Sequence, residues 1–209
     1  MGHREWTAAQ LAHNGHTKLY AASMSGLREL ARELGADERT LRRAAADGLV
    51  RCERLGPRRR SVTADERRYA IDHWPLLSAL RRALRTEPNV RLAVLYGSLA
   101  RGEDTEASDL DLLVSLAEDR PDAAVKLAVR LERAIGRNVD VARLNRVERS
   151  APLLLVRALE EGRVVLDRDG QWPRLLARRG EIARRASRAH DARLARARAS
   201  VHEFVHAQR

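Results

Sequence analysis

Apolar positions along this chain fall into blocks whose spacing alternates between helical and extended. Leu27, Leu30, Ala31 and Leu34 recur at i, i+3, i+4, i+7, which predicts an amphipathic helix ending at Gly35. A second helix follows: Asp37 is placed to cap it, Leu41, Ala44, Ala45 and Leu49 share a face, and Gly48 ends it. The segment from Val50 to Leu55, a Gly56-Pro57 turn with Arg58, Arg59 and Arg60, and Ser61–Thr63 predict two short strands around a basic turn. Residues 64–87 are again helical, with Tyr69, Ile71, Trp74, Leu77, Leu80 and Leu84 as the apolar face and Pro75 expected to break or kink the run.

The spacing then becomes extended. Leu92–Tyr96 is an unbroken apolar run, as in a buried strand, and Gly97-Ser98 follows at once. Asp109-Leu110-Asp111 leads into the apolar Leu112–Val114, a second strand. Ala124, Leu127, Ala128, Leu131 and Ile135 place a helix over 121–136, and Asn138–Ala142 predicts a short buried strand with Asp140 at its centre. From Pro173 an apolar stripe runs through Leu175, Ile182, Ala186, Ala189, Leu194, Ala197, Val201, Phe204 and Val205, one or two long Arg-rich helices. Their apolar side must pack on this chain, on a second copy or on a partner. The predicted class is α+β, in four parts: an arm without periodicity (1–23), a small helical and β-hairpin unit (24–70), an α/β unit with a small mixed sheet (71–170) and a basic helical tail (171–209).

Charge sharpens this division. Forty Lys and Arg against 29 Asp and Glu give a net charge of +11 over 209 residues. The stretch 76–170 is neutral, whereas 171–209 carries +7, so the excess lies outside the central unit. Such a balance favours nucleic acid, nucleotides or an acidic protein as partners. A single cysteine, Cys52, excludes a disulfide framework and a multi-cysteine zinc site. No run approaches the ~18 apolar residues of a membrane span, and the N-terminal segment lacks the apolar run of a signal peptide. The expected setting is therefore cytoplasmic, with no membrane partner.

Helix, tight turn, helix and basic hairpin is the order of a winged helix-turn-helix, which residues 24–70 resemble. The resemblance implies DNA binding: Arg39, Thr40, Arg42 and Arg43 would face a major groove, and Arg58, Arg59 and Arg60 the phosphates or minor groove. A homodimer through the tail would suit a palindromic site.

The candidate chemistry lies in 90–141. Residues two apart in a strand share a face, so Asp109 and Asp111 present two carboxylates together. Like charges that close repel unless a cation intervenes, and oxygen-only donors suit Mg2+ or Mn2+. Asp140 would bring a third carboxylate to the same sheet edge. Gly97-Ser98, a ten-residue spacer, Asp109-x-Asp111 and a later strand aspartate together resemble the polymerase-β-type nucleotidyltransferases, and within them the minimal bacterial MNT branch. Gly97–Gly102, Ser108–Val114, Val139–Val141 and Glu160–Leu166 carry the match, over about 76–168.

The resemblance implies a nucleoside triphosphate substrate, ATP foremost. Gly97 and Ser98 would meet its phosphates, with Arg101 as a phosphate or loop-anchoring contact. Asp109, Asp111 and Asp140 would hold the divalent ions, and Asp140 would help deprotonate the acceptor hydroxyl. It also implies an acceptor on a HEPN-type toxin, with MNT proteins as antitoxins, although a DNA-binding head departs from the usual single-domain plan of such antitoxins; the basic tail and the +11 charge point instead to an acceptor on RNA. A nucleotide-sensing DNA-binding regulator without turnover is the alternative. His202-Glu203-Phe204-Val205-His206 matches a zinc-protease pattern, but with no third ligand downstream it reads as surface histidines on a terminal helix.

Overall fold

The structure is a computed structural model that describes residues 25–54, 56 and 60–207. The expected arm at 1–23 and the turn arginines Arg58 and Arg59 lie outside the described residues. The chain divides into two compact units, 1–75 and 76–209.

In the first unit β1 (Ser25–Gly26) leads into α1 (Leu27–Glu33), and α2 spans Glu38–Asp47. The Asp37 side chain accepts the Thr40 backbone N–H at 2.9 Å, the N-cap bond that satisfies an otherwise orphaned donor. Gly48 closes α2 with φ of 93°, a conformation that disfavours any residue with a Cβ. Leu27, Leu30, Ala31, Leu41, Ala44, Ala45, Leu49 and Val62 form the buried face. The expected two strands are β2 (Glu53–Arg54) and β3 (Arg60–Val62), and β1 completes an antiparallel sheet in the order β1-β3-β2.

Helix α3 runs from Ala64 to Arg85 with Pro75 inside it, so of the expected break or kink the break does not occur. Packing outweighs the lost backbone donor: Trp74 and Leu77, flanking the proline, are both buried. Ile71, expected on the apolar face, is instead 42% exposed.

The second unit is built on a four-stranded mixed sheet in the order β6-β5-β4-β7, where β4 is Val90–Tyr96, β5 Leu110–Leu116, β6 Val139–Arg143 and β7 Arg163–Asp167. β4 lies antiparallel to both β5 and β7, and β5 runs parallel to β6. The parallel pair needs a crossover, supplied by α5 (Pro121–Ile135), which packs against β6 and ends at Gly136. Between β4 and β5 lies the five-residue α4 (Gly97–Arg101). Helices α6 (Leu144–Ser150) and α7 (Pro152–Glu161) precede β7, and α8 (Gln171–Ala177) and α9 (Arg179–Ala207) follow it.

One face of the sheet forms a core with these later helices: Leu92, Val94, Tyr96 and Leu113 pack with residues such as Leu155, Ala158 and Ile182. α9 packs on α7 through Ile182 and Ala186, whereas Ala189 and Leu194 further along the expected stripe are exposed. The side chains of Val201, Phe204, Val205, His202 and His206 lie outside the described residues. Among the described residues no helix is long and apolar enough to cross a membrane.

Candidate active site

The sheet register assembles the site. Tyr96 pairs with Asp111 across β4 and β5, and Asp111 pairs with Asp140 across β5 and β6. Residues in register on neighbouring strands point to the same face, so the Asp111 and Asp140 carboxylates stand side by side next to the end of β4. That face also carries Leu113, so the acidic pair lies at the rim of the core formed with α7 and α9.

The Asp111 carboxyl is held above the usual carboxylate range. Burial is the largest cause, followed by the charges of Asp140 and Asp109; Arg101 opposes them and Glu161 adds to them. The Tyr96 hydroxyl is pushed up by burial and then by Asp111 and Asp140, so it stays a neutral donor at physiological pH. A concentration of negative charge at a partly buried point calls for a cation.

Two expectations need correction. Asp109 lies one residue before β5 rather than within it, and its Oδ1 accepts from Asn138 Nδ2 at 3.1 Å. The β6 strand is not buried: as an edge strand it buries only Val139, and Asp140 is exposed. Among the described residues, no group of three or more His, Cys, Asp or Glu side chains is gathered to hold one ion. The oxygen-only chemistry of the Asp111–Asp140 pair still fits a hard divalent cation, and Asp109 joins it only by turning from Asn138.

Gly97 explains how close the preceding turn comes. Its φ is +76°, and a Cβ built there would overlap Asp111 Oδ2 and stand 3.2 Å from Asp111 Cγ. Only glycine lets the backbone lie against that carboxylate. Ser98 follows on the first turn of α4.

Arg101 is tied down. Its Nη1 donates to Glu161 Oε2 at 2.8 Å and its Nε to Glu103 Oε2 at 2.7 Å, which fits loop anchoring of the two roles expected for it. The other Glu161 oxygen, Oε1, accepts the Gly97 backbone N–H at 3.0 Å. Glu161 is the residue that sequence reasoning missed. It falls within the Glu160–Leu166 segment that carries the motif match, at the end of a helix and two residues before the strand beside β4, but that segment by itself assigns it no role.

The loop before β5 is stapled by Arg137. Its Nη1 pairs with Asp104 at 3.2 Å, and its Nη2 donates to the Thr105 and Ser108 carbonyls at 2.8 and 2.7 Å. Beside this staple, a cavity of about 320 Å³ is lined by Glu106, Ser108, Asp109, Glu132, Arg137 and Asn138, among others.

In the first unit Arg39, Thr40, Arg42 and Arg43 all lie exposed on α2. Thr40 Oγ1 bonds Asp37 Oδ1 at 3.2 Å, and Arg42 bonds Glu38 at 2.6 to 2.8 Å. Arg60 opens β3. Burial pushes the Cys52 thiol up to about 11, so it is no reactive thiolate.

Comparison with known proteins locates this site in a family. The family model described as "Polymerase beta, Nucleotidyltransferase" matches residues 79–171. A Methanocaldococcus jannaschii protein named "Putative protein adenylyltransferase" is 40% identical over 78 residues, which are 37% of this chain and 81% of that protein. A chain of a toxin–antitoxin crystal structure with AMP-PNP is similar at 20% identity and a TM-score of 0.49, covering 58% of this chain and 97% of its own. A chain of the tri-AMPylated Shewanella oneidensis HEPN toxin in complex with MNT antitoxin is similar at 17% identity and a TM-score of 0.47, covering 60% and 98%.

Proposed function

The chain belongs to the polymerase β nucleotidyltransferase family, and from that premise we propose that it transfers AMP from ATP to a hydroxyl of a protein. The observation that carries this reading is the Asp111–Asp140 carboxylate pair set in register beside the Gly97 turn. The 40% identity to a protein named as a protein adenylyltransferase supports AMP and a protein acceptor over other combinations.

Each residue has a distinct task. Gly97 admits the triphosphate backbone close to the carboxylates, and Ser98 offers a hydroxyl donor to its phosphates. Asp111 and Asp140, with Asp109, would hold Mg2+ or Mn2+; bound there, a divalent ion supplies charge stabilisation to the attacking and leaving oxygens. Asp140, exposed at the strand edge, is accessible to an incoming hydroxyl and accepts its proton. The hydroxyl oxygen then bonds the α-phosphorus, the bond to the bridging oxygen breaks, and pyrophosphate leaves. Tyr96, whose hydroxyl is kept neutral beside the pair, does not compete as a base.

Among protein acceptors, a HEPN-type toxin is the one favoured by the motif resemblance to MNT proteins; a hydroxyl on RNA is the alternative. The first unit binds DNA on this reading. Its support is the exposed α2 arginines, the glycine-ended helix and the short antiparallel sheet with Arg60 at its turn.

The test uses purified chain, Mg2+ or Mn2+, each α-labelled nucleoside triphosphate in turn and host lysate as acceptor pool. The reading requires label from ATP in a protein band, lost in Asp111→Asn. Label in RNA would move the acceptor class. Nucleotide-dependent operator binding without any labelled product would replace the reading with a nucleotide-sensing regulator.

A further inference from the structure

Helix α4 has five residues and too few internal hydrogen bonds to hold its own position, because helix formation needs several turns to become favourable. Three consecutive residues at the α7–β7 junction grip it at both ends. Glu161 accepts the N–H of the helix's first residue, Gly97, at 3.0 Å and the guanidinium of its last, Arg101, at 2.8 Å. Near its end, Arg163 donates from Nε to the Ala100 carbonyl at 2.7 Å and is only 2% exposed. Between them Gly162 lets α7 approach β4: a Cβ there would overlap the Ala158 carbonyl oxygen and stand 2.7 Å from Val94 Cγ1.

The charges are arranged in the favourable sense, a carboxylate at the helix N-terminus and a guanidinium at its C-terminal carbonyls. Charge-assisted bonds are also the stronger and more directional kind. We propose that Glu161 is a positioning residue which, with Arg163, clamps α4 and so fixes the Gly97-Ser98 turn against Asp111. This rests on the transfer reading above for its effect on turnover, but the clamp itself is a property of the fold.

It follows that Arg101 acts through Glu161 rather than by binding phosphate. Both Arg101 bonds go to carboxylates of this chain, Glu103 and Glu161. The two residues then form one unit, and removing either removes most of what the pair supplies.

Four full-length variants test this: Glu161→Ala, Glu161→Gln, Arg101→Ala and the double Glu161→Ala/Arg101→Ala. Amide hydrogen exchange over 97–101 is read alongside transfer rate and the KM for ATP. In Glu161→Ala the segment exchanges about tenfold faster or more, the loss expected for a hydrogen bond to a charged group. Glu161→Gln keeps one oxygen for the Gly97 N–H, so it lies between wild type and Glu161→Ala; it also serves if the alanine variant folds poorly. The double variant transfers no more slowly than the worse single variant.

Exchange over 97–101 that is unchanged in Glu161→Ala would overturn the clamp. So would transfer losses that multiply in the double variant with an ATP KM raised by Arg101→Ala alone, since that is the behaviour of a direct phosphate ligand. If the wild-type chain transfers no nucleotide, the transfer reading fails, and the exchange arm still decides the clamp.

Discussion

Replacing Gly97 by alanine should slow transfer about 100-fold while leaving the chain folded. Two effects act at this position. The backbone φ of +76° is in the left-handed region, where a Cβ costs about 1–2 kcal/mol. The new Cβ would also overlap Asp111 Oδ2, so the carboxylate must swing away from the turn. Gly136 separates the two effects: its φ is +75°, and nothing lies within 4 Å of a Cβ built there. Gly136→Ala therefore carries the backbone strain without the collision. Gly136→Ala should lose about 1–2 kcal/mol and Gly97→Ala at least as much, a fall in Tm of about 2–4 °C per kcal/mol for a chain of this size. Marginal stability of about 5–15 kcal/mol leaves both folded. Displacing a reacting group by ~1 Å costs about 10²-fold in rate, so Gly97→Ala should transfer label roughly 100-fold more slowly, and Gly136→Ala at nearly the wild-type rate. Thermal denaturation by circular dichroism and initial rates with α-labelled ATP measure the two quantities. Comparable transfer rates in both variants would refute the close packing of turn and carboxylate as the basis of activity.

Other substitutions probe separate parts. Asp111 binds its proton more tightly folded than unfolded, so stability falls as pH rises from the ordinary carboxylate value through its raised one. Asp111→Asn should thus melt higher than wild type at neutral pH, lose that advantage in acid and, unlike wild type, gain nothing from added Mg2+; an equal Mg2+ gain in both would remove Asp111 from the ion site. Arg137→Met releases the loop before β5 by removing its bonds to Asp104, Thr105 and Ser108, and urea denaturation should show a loss of about 2–3 kcal/mol. Arg39→Ala and Arg43→Ala should each weaken DNA binding and reduce the slope of log K against log salt by about 1, measured by fluorescence anisotropy; unchanged slopes would take α2 off the DNA.

What the sequence made legible follows from how local each signal is. The two N-terminal helices, the α5 crossover and the strands β4 and β5 rest on periodicity within ten or so residues, and each lies close to where its pattern places it. That Gly97, Asp111 and Asp140 come together was legible because a glycine after an apolar run and aspartates in short apolar strands stand out against their neighbours. The rest depends on distance along the chain. Glu161 meets Gly97 from 64 residues away, and nothing near it announces that a backbone N–H waits there. Asp109 looked like a strand residue, but the ladder begins at Leu110, whose N–H bonds the Asn138 carbonyl. Asp140 looked buried because its neighbours are apolar, whereas β6 lies at the sheet edge. Pro75 looked like a break because local propensity cannot weigh the burial of Trp74 and Leu77.

The most direct measurement of the central claim is the product balance of a single reaction. Purified chain, Mg2+ and α-labelled ATP are incubated with the acceptor fraction, and pyrophosphate release is measured beside label bound to protein. One pyrophosphate should appear per AMP attached, with both lost in Asp111→Asn and in Asp140→Asn. Protein labelling that survives in both aspartate variants, or bound ATP that yields neither product in the wild-type chain, would contradict that claim.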